Sequence, residues 1–194
     1  MFRLNRADAR LAFERRCCKH IGTAMKLKAL LAFGLTMAAV TATNVSFAQS
    51  GDAALLTVSG RIARTNSPDH KVYVFSFADL QKLDNTHITS TTTWEGKAEF
   101  DGPRVRDILK AVGAASDATE VAVVAIDGYV KSIPIEDFKK WEVIAAHTQN
   151  GKRLTVETKG PLWIMYPNDK YPEDLRNHVT NTKLVWALTG LVVK

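Results

Sequence analysis

Cysteine is scarce in this chain. Only two of the 194 residues are Cys, and both, Cys17 and Cys18, stand near the N-terminus. From residue 49 onward there is none, which excludes a disulfide framework, a thiolate nucleophile and a sulfur-ligated zinc or iron site in that portion. No G-x-S-x-G elbow and no Gly-rich phosphate loop occurs, so two common catalytic and nucleotide signatures are missing as well. Long apolar runs are also wanting: Ala29–Ala42 falls short of the roughly 20 residues needed to cross a bilayer. Histidine is thin and badly spaced for a metal. His70, His87, His147 and His178 include no i, i+4 pair and no carboxylate at ligand spacing, so no metal site is expected, and His147, inside an apolar run, is expected to be packed.

What the N-terminus does contain is an export pattern. Met25-Lys26-Leu27-Lys28 is a short basic start, Ala29–Ala42 an apolar stretch, and Ser46-Phe47-Ala48 a small-x-small cleavage site. Residues 1–48 are therefore expected to be leader and signal peptide, cut after Ala48, with residues 1–24 an over-called start or a long leader. The expected location is periplasmic or secreted, without membrane insertion after cleavage. No Cys stands at the cleavage site, which excludes a lipoprotein. Charge follows the same division. Of 26 Lys/Arg and 20 Asp/Glu, eight and two lie in residues 1–48, leaving 18 of each in residues 49–194. The formal +6 belongs to the leader, so a nucleic-acid partner is discarded.

Residues 49–194 suffice for one domain with its own core and show no repeat or linker. Ala54–Val58 and Lys71–Phe75 predict strands, and Ser76-Phe77-Ala78-Asp79 predicts a capped short helix burying Phe77, Leu80 and Leu83. His87–Thr93, β-branched almost throughout, predicts a strand, and Glu95-Gly96-Lys97 a turn. Pro103 at a first helical position, the spacing of Val105, Ile108, Leu109 and Val112, and a capping Gly113 predict the clearest helix. Val121–Ile126, an Asp127-Gly128 turn and Tyr129–Ile133 form a hairpin, followed by a short helix over Pro134–Lys140 with Phe138 and Trp141 inward. Val143–His147, Asn150-Gly151 and Lys152–Val156 repeat strand, turn, strand. Leu162–Tyr166 is a strand, Pro167 to about Thr182 a polar loop, and Leu184–Val193 the closing strand. Short strands mixed with a few short helices, lacking βαβ alternation, predict an α+β fold with a mixed or antiparallel β-sheet.

Few residues offer chemistry. The pairs Glu136-Asp137 and Glu173-Asp174 are expected on solvated faces, and Ser76 as a helix cap. Trp163, Tyr166 and Tyr171, with two Tyr-Pro steps, line either a small-ligand cleft or a plugged sheet edge, and both readings stay open. Arg176 and Lys183 are expected to face solvent.

The order of these pieces resembles the oxidoreductase molybdopterin-binding domain of the sulfite oxidase type, over Leu55–Val193. Leu55–Gly60 resembles its opening strand and Phe75–Leu83 its first helix. Thr89–Thr92 with Gly102–Leu109 resembles the strand and helix flanking its cofactor loop. Ile133-Pro134-Ile135, Val143–Leu154, Gly160-Pro161-Leu162-Trp163 to Pro167, and Val185–Leu188 continue the likeness in order. The resemblance implies a molybdenum pyranopterin held by a cysteine thiolate, a soft ligand that stabilises the high-valent metal. Here the cysteine position falls at Thr93 or Trp94, and a basic residue common in the family is replaced by Leu162 or Trp163. The signal also lacks the twin-arginine pattern that a folded, cofactor-loaded protein needs for export.

The expectation is accordingly a domain without a functional molybdenum centre, acting as a periplasmic small-ligand-binding or accessory module, with no cofactor and with a small molecule or a periplasmic or membrane protein as partner. Its expected cleft lies between Thr92, Thr93 and Trp94 on one side and Trp163, Tyr166 and Tyr171 on the other. The alternative is a molybdopterin-dependent oxidoreductase acting on a small oxo-anion or sulfoxide without a cysteine ligand, in which Lys97, Arg104 and Arg106 would hold the cofactor phosphate.

Overall fold

The computed structural model describes residues 53–194. The leader, its cleavage site, the starts at Met1 and Met25, and Cys17 and Cys18 lie outside the described residues. Ala54–Gly60 (β1) and Tyr73–Ser76 (β2) pair antiparallel and turn Leu56, Val58 and Phe75 inward. Ser76 then caps Phe77–Lys82 (α1). Its Oγ accepts from Asp79 N at 3.2 Å while the Asp79 carboxylate accepts from Ser76 N at 3.2 Å, the reciprocal box that the sequence predicts. Asn85–Thr92 (β3) and Gly96–Pro103 (β4) pair in unbroken antiparallel register from Asn85–Pro103 to Thr92–Gly96.

Val105–Val112 (α2) buries the predicted stripe of Val105, Ile108, Leu109 and Val112 and ends at Gly113, whose φ of 65° is the left-handed conformation that glycine adopts without penalty. Pro103, predicted as its first residue, instead closes β4. Val105 N donates to Val143 O at 2.9 Å, which ties the helix start to a neighbouring segment and leaves Arg104 at the cap. Glu120–Ala125 (β5) and Val130–Pro134 (β6) make the predicted hairpin, and Ile135–Lys140 (α3) buries Ile135 and Phe138.

Beyond Ile144–Ala146 (β7) the chain is more broken than its sequence suggests. Thr148–Gln149 (β8) and Lys152–Arg153 (β9) flank the Asn150-Gly151 turn. The expected strand to Val156 stops at Arg153, because Thr155 N donates to Thr158 Oγ1 at 2.8 Å and opens a 3-10 turn over Val156–Thr158. Trp163–Met165 (β10) follows. The expected loop contains two one-turn helices, Pro172–Leu175 (α4) and His178–Asn181 (α5), which bury Leu175 and Thr180. The last strand, Leu188–Val193 (β11), starts later than predicted. Leu184 O and Val185 O already accept from Trp163 Nε1 (3.2 Å) and Ile164 N (2.9 Å), and Ala187 turns left-handed at φ 49°.

The strands form a five-stranded sheet in the order β2-β1-β11-β5-β6, a four-stranded sheet β3-β4-β8-β9 and the pair β10-β7. Only β1 and β11 run parallel in the first, where both strands are far apart in sequence; every other pairing is antiparallel. The class is therefore α+β with a mixed sheet, as expected. One buried cluster joins all three strand groups, with Phe100 of β4 and Trp163 of β10 in edge-to-face contact at 5.5 Å near its centre. Among the described residues no helix is long and apolar enough to cross a membrane.

Candidate functional site

The β3–β4 hairpin carries the turn on which the functional question rests. Thr92, buried at the end of β3, accepts from Glu95 N through Oγ1 at 3.0 Å, and Gly96 takes φ 62° to start β4. Between them Thr93 and Trp94 are exposed. The Trp94 ring meets Trp186 edge-to-face at 5.3 Å, and Trp186 meets the buried Trp163 at 6.4 Å, so three indoles run from surface to core. Glu95 is the only carboxylate on the turn. It is engaged by the Lys159 ammonium and accepts from Gln149 Nε2 at 3.1 Å, while Lys159 Nζ also lies 5.3 Å from the Trp163 ring.

On the other side of β3 the Asn168-Asp169 corner is bolted directly to the strand. Asp169 accepts from Thr91 N (3.0 Å) and Thr91 Oγ1 (3.1 Å), and Asn168 Nδ2 donates to Thr91 O at 3.1 Å. Arg176 Nη2 adds a third bond to Asp169 at 2.6 Å. Burial pushes the Asp169 carboxyl up, but the bonds from Arg176 and Thr91 outweigh burial and hold it below its ordinary value. The strand end and the aromatic loop therefore meet in direct contact at Thr91.

The sequence-predicted residues divide into separate groups. Thr92, Thr93, Trp94 and Trp163 gather around the turn, Trp163 as a fully buried core residue beneath it. Tyr166 is also fully buried and donates its hydroxyl to Asp137 Oδ2 at 2.7 Å on α3. Burial, then the adjacent Asp137 carboxylate, pushes its phenol well above the usual tyrosine value. Tyr171 packs on Trp141 at 4.9 Å. Lys97 and Arg104 stand at opposite ends of β4, roughly 23 Å apart at the usual rise per strand residue, so one phosphate cannot reach both. Arg104 donates Nε to Thr86 Oγ1 at 2.8 Å, and Arg106 lies on α2 along a different pocket, with Leu109 and Phe138.

Two other expectations need correction. Asp137 does not lie on a solvated face: with its neighbour Glu136 turned outward to Lys139, it points inward and holds Lys183 Nζ at 2.6 Å. Both side chains of that pair are about one-sixth exposed, at 17 % and 16 %, so Lys183 is not solvent-facing either. Arg176, half exposed, is occupied by Asp169. Sequence reasoning also missed Gln149, Lys159 and Trp186 at the turn. They come from 54 to 92 residues away, and no local pattern marks them.

The cofactor implied by the resemblance asks for a soft metal ligand and a basic grip. The turn offers a threonine hydroxyl and an indole, neither of which replaces a thiolate. Among the described residues no group of three or more His, Cys, Asp or Glu is arranged to hold a metal. Two buried oxygens, Ser90 Oγ on β3 and Asn168 Oδ1 beside it, have no hydrogen-bond partner among the described residues, but both are neutral and hard. The donor set at the turn does not match the requirement.

No curated relative matches the chain. Among solved structures it is similar to the crystal structure of the sulfane dehydrogenase SoxCD from Paracoccus pantotrophus, with a TM-score of 0.57 and 16 % identity. That likeness extends over 74 % of this chain but only 39 % of the other, and it shows a shared fold. The family model for the oxidoreductase molybdopterin binding domain matches residues 67–169, from the loop before β2 to the Asp169 corner, and thus includes the whole β3–turn–β4–α2 unit. Since that match takes in more than half of the chain, the protein belongs to the oxidoreductase molybdopterin binding domain family.

Proposed function

We propose that this is an exported member of the family that works without a functional molybdenum centre, as a periplasmic binding or accessory module. The single observation that carries the reading is the turn itself. Where the resemblance calls for a thiolate, Thr93 and Trp94 stand exposed, and the adjacent carboxylate is already engaged by Lys159 and Gln149. The Trp94–Trp186 pair gives that face a semi-exposed aromatic surface suited to contact with a partner or ligand, since indoles bring large apolar area and a polar N–H together. The ordinary secretion signal supports export of the unfolded chain, before any cofactor could be inserted.

The test is elemental analysis of protein expressed with its native leader and purified from the periplasm. The reading expects molybdenum far below one atom per chain and no turnover of sulfite, sulfoxide or nitrate with artificial electron carriers. Stoichiometric molybdenum with such turnover would establish the alternative, a molybdopterin-dependent oxidoreductase lacking a cysteine ligand. Family membership favours that second reading.

A further inference from the structure

A pocket of about 340 Å3 lies between α3 and the one-turn helices α4 and α5. No residue of the Thr93–Glu95 turn lines it. Its polar groups carry both signs in equal number: carboxylates from Asp137 and Asp174, ammonium groups from Lys140 and Lys183. The indole of Trp141 forms part of the wall, with Lys140 Nζ 4.2 Å from its centroid.

The floor is held in place by a buried network. Asp137 Oδ2 accepts both the Tyr166 hydroxyl (2.7 Å) and Lys183 Nζ (2.6 Å). Among the described residues Asp137 Oδ1 has no hydrogen-bond donor. Asp137 is one of the residues that line the pocket, and its side chain is 17 % exposed. Lys183 places one of its three N–H groups on Asp137 and keeps two for other acceptors. Asp174, exposed and lining the pocket, accepts from Asn177 Nδ2 through its backbone carbonyl at 2.7 Å, and among the described residues its carboxylate has no hydrogen-bond or ion-pair partner.

Acceptors and donors thus share one small, open, formally neutral pocket, with Asp137 and Lys183 held in place and Asp174 and Lys140 exposed. A lone anion entering it would meet Asp137 and Asp174, and a lone cation would meet Lys140 and Lys183; each would face like charge. A molecule carrying both charges close together would satisfy both sides. The volume is at the lower end of the roughly 300–1,000 Å3 typical of small-molecule sites, which suits a ligand of few heavy atoms. From this geometry we infer that the pocket binds a small zwitterion of the α-amino acid class. Its carboxylate faces Lys183 and Lys140, its ammonium faces Asp174 and the Asp137 oxygen not engaged by Tyr166 and Lys183, and Trp141 lies against its carbon frame. The site is separate from the aromatic face proposed above and independent of metal content at the turn.

Calorimetric titration of the full purified protein with each common L-amino acid in turn tests this. Saturable one-to-one binding of at least one is expected. For the best binder, the amine lacking its carboxylate and the acid lacking its amine should each bind at least tenfold more weakly, the size of one lost charge-assisted hydrogen bond. Asp174→Asn and Lys140→Met, both at exposed positions that leave the buried network intact, should each weaken binding about tenfold with unchanged thermal unfolding. The inference is overturned by absence of saturable binding, by equal affinity for a singly charged analogue, or by binding that both variants leave untouched. Any of these with negligible molybdenum would remove the zwitterion site and leave the accessory-module reading standing. Amino-acid binding together with stoichiometric molybdenum would do the reverse.

Discussion

Replacing Asp169 by Ala tests whether the strand end and the following loop are clamped together, as the three bonds to its carboxylate indicate. The side chain is 17 % exposed, and two of its bonds go to the partly buried Thr91, through N–H and Oγ1. The substitution leaves the Thr91 N–H without an acceptor, at a cost of about 1–3 kcal/mol, and removes a charge-assisted bond to a hydroxyl worth about 1.5 kcal/mol. The Arg176 bond adds less than about 1 kcal/mol, since its guanidinium is half exposed and screened. The expected loss is therefore about 3 kcal/mol. With a urea dependence of about 2 kcal/mol per molar, that lowers the midpoint by about 1.5 M. Arg176→Ala, which keeps both Thr91 bonds, should lower it by less than about 0.5 M. Equilibrium urea unfolding followed by tryptophan fluorescence reads both variants. If Asp169→Ala cost no more than Arg176→Ala, the carboxylate would be serving a surface ion pair, and the clamp would be wrong.

Two further perturbations examine other parts of the fold. His147 is buried, with its ring nitrogens 2.7 Å from Thr148 Oγ1 and 2.9 Å from Asn85 Oδ1; burial, aided by Arg153 and opposed by Asp101, holds its imidazole below the ordinary 6.5. Between the folded and unfolded values the unfolded chain binds more protons, so this contribution is complete above pH 6.5 and is lost as pH falls through the folded value. The urea midpoint should decline on acidification below 6.5, and His147→Gln should flatten that part of the profile; an identical decline in the variant would reject the assignment. Gly102, where β4 crosses β7, has no space for a side chain: an added Cβ would lie 2.2 Å from Ala145 O. Gly102→Ala should cost about 3 kcal/mol or more, seen as a lowered Tm or loss of soluble protein, and a wild-type Tm would contradict the packing described.

Local chemistry determined much of the fold on its own. The capping box at Ser76, the i, i+3, i+4, i+7 stripe of α2, its left-handed stop at Gly113 and the Asp127-Gly128 hairpin each depend on neighbours in the chain, and each forms where the sequence places it. The order of those elements carried the family assignment as well, because strand and helix succession persists where side-chain identity does not. Boundaries failed where a distant partner intervened. Pro103 was drawn into β4 by the Val143 contact at Val105, and β11 was shortened because Leu184 and Val185 were already bonded to β10.

The candidate sites were decided almost wholly by tertiary structure. That no cysteine stands at Thr93-Trp94, where the resemblance places the thiolate, is a statement about residue type and can be read from the sequence. That Glu95 is held by Lys159 and Gln149, or that Trp94 rests on Trp186, depends on contacts between residues 54 to 92 positions apart. Lys97 and Arg104, close in sequence, are separated by the length of a strand, since an extended chain carries near neighbours apart at about 3.3 Å per residue. Asp137, Tyr166 and Lys183 span 46 positions and meet on one carboxylate oxygen. Local propensity acts between adjacent residues and can be read from their order, whereas a site is an intersection of remote segments whose meeting point exists only once the core has packed.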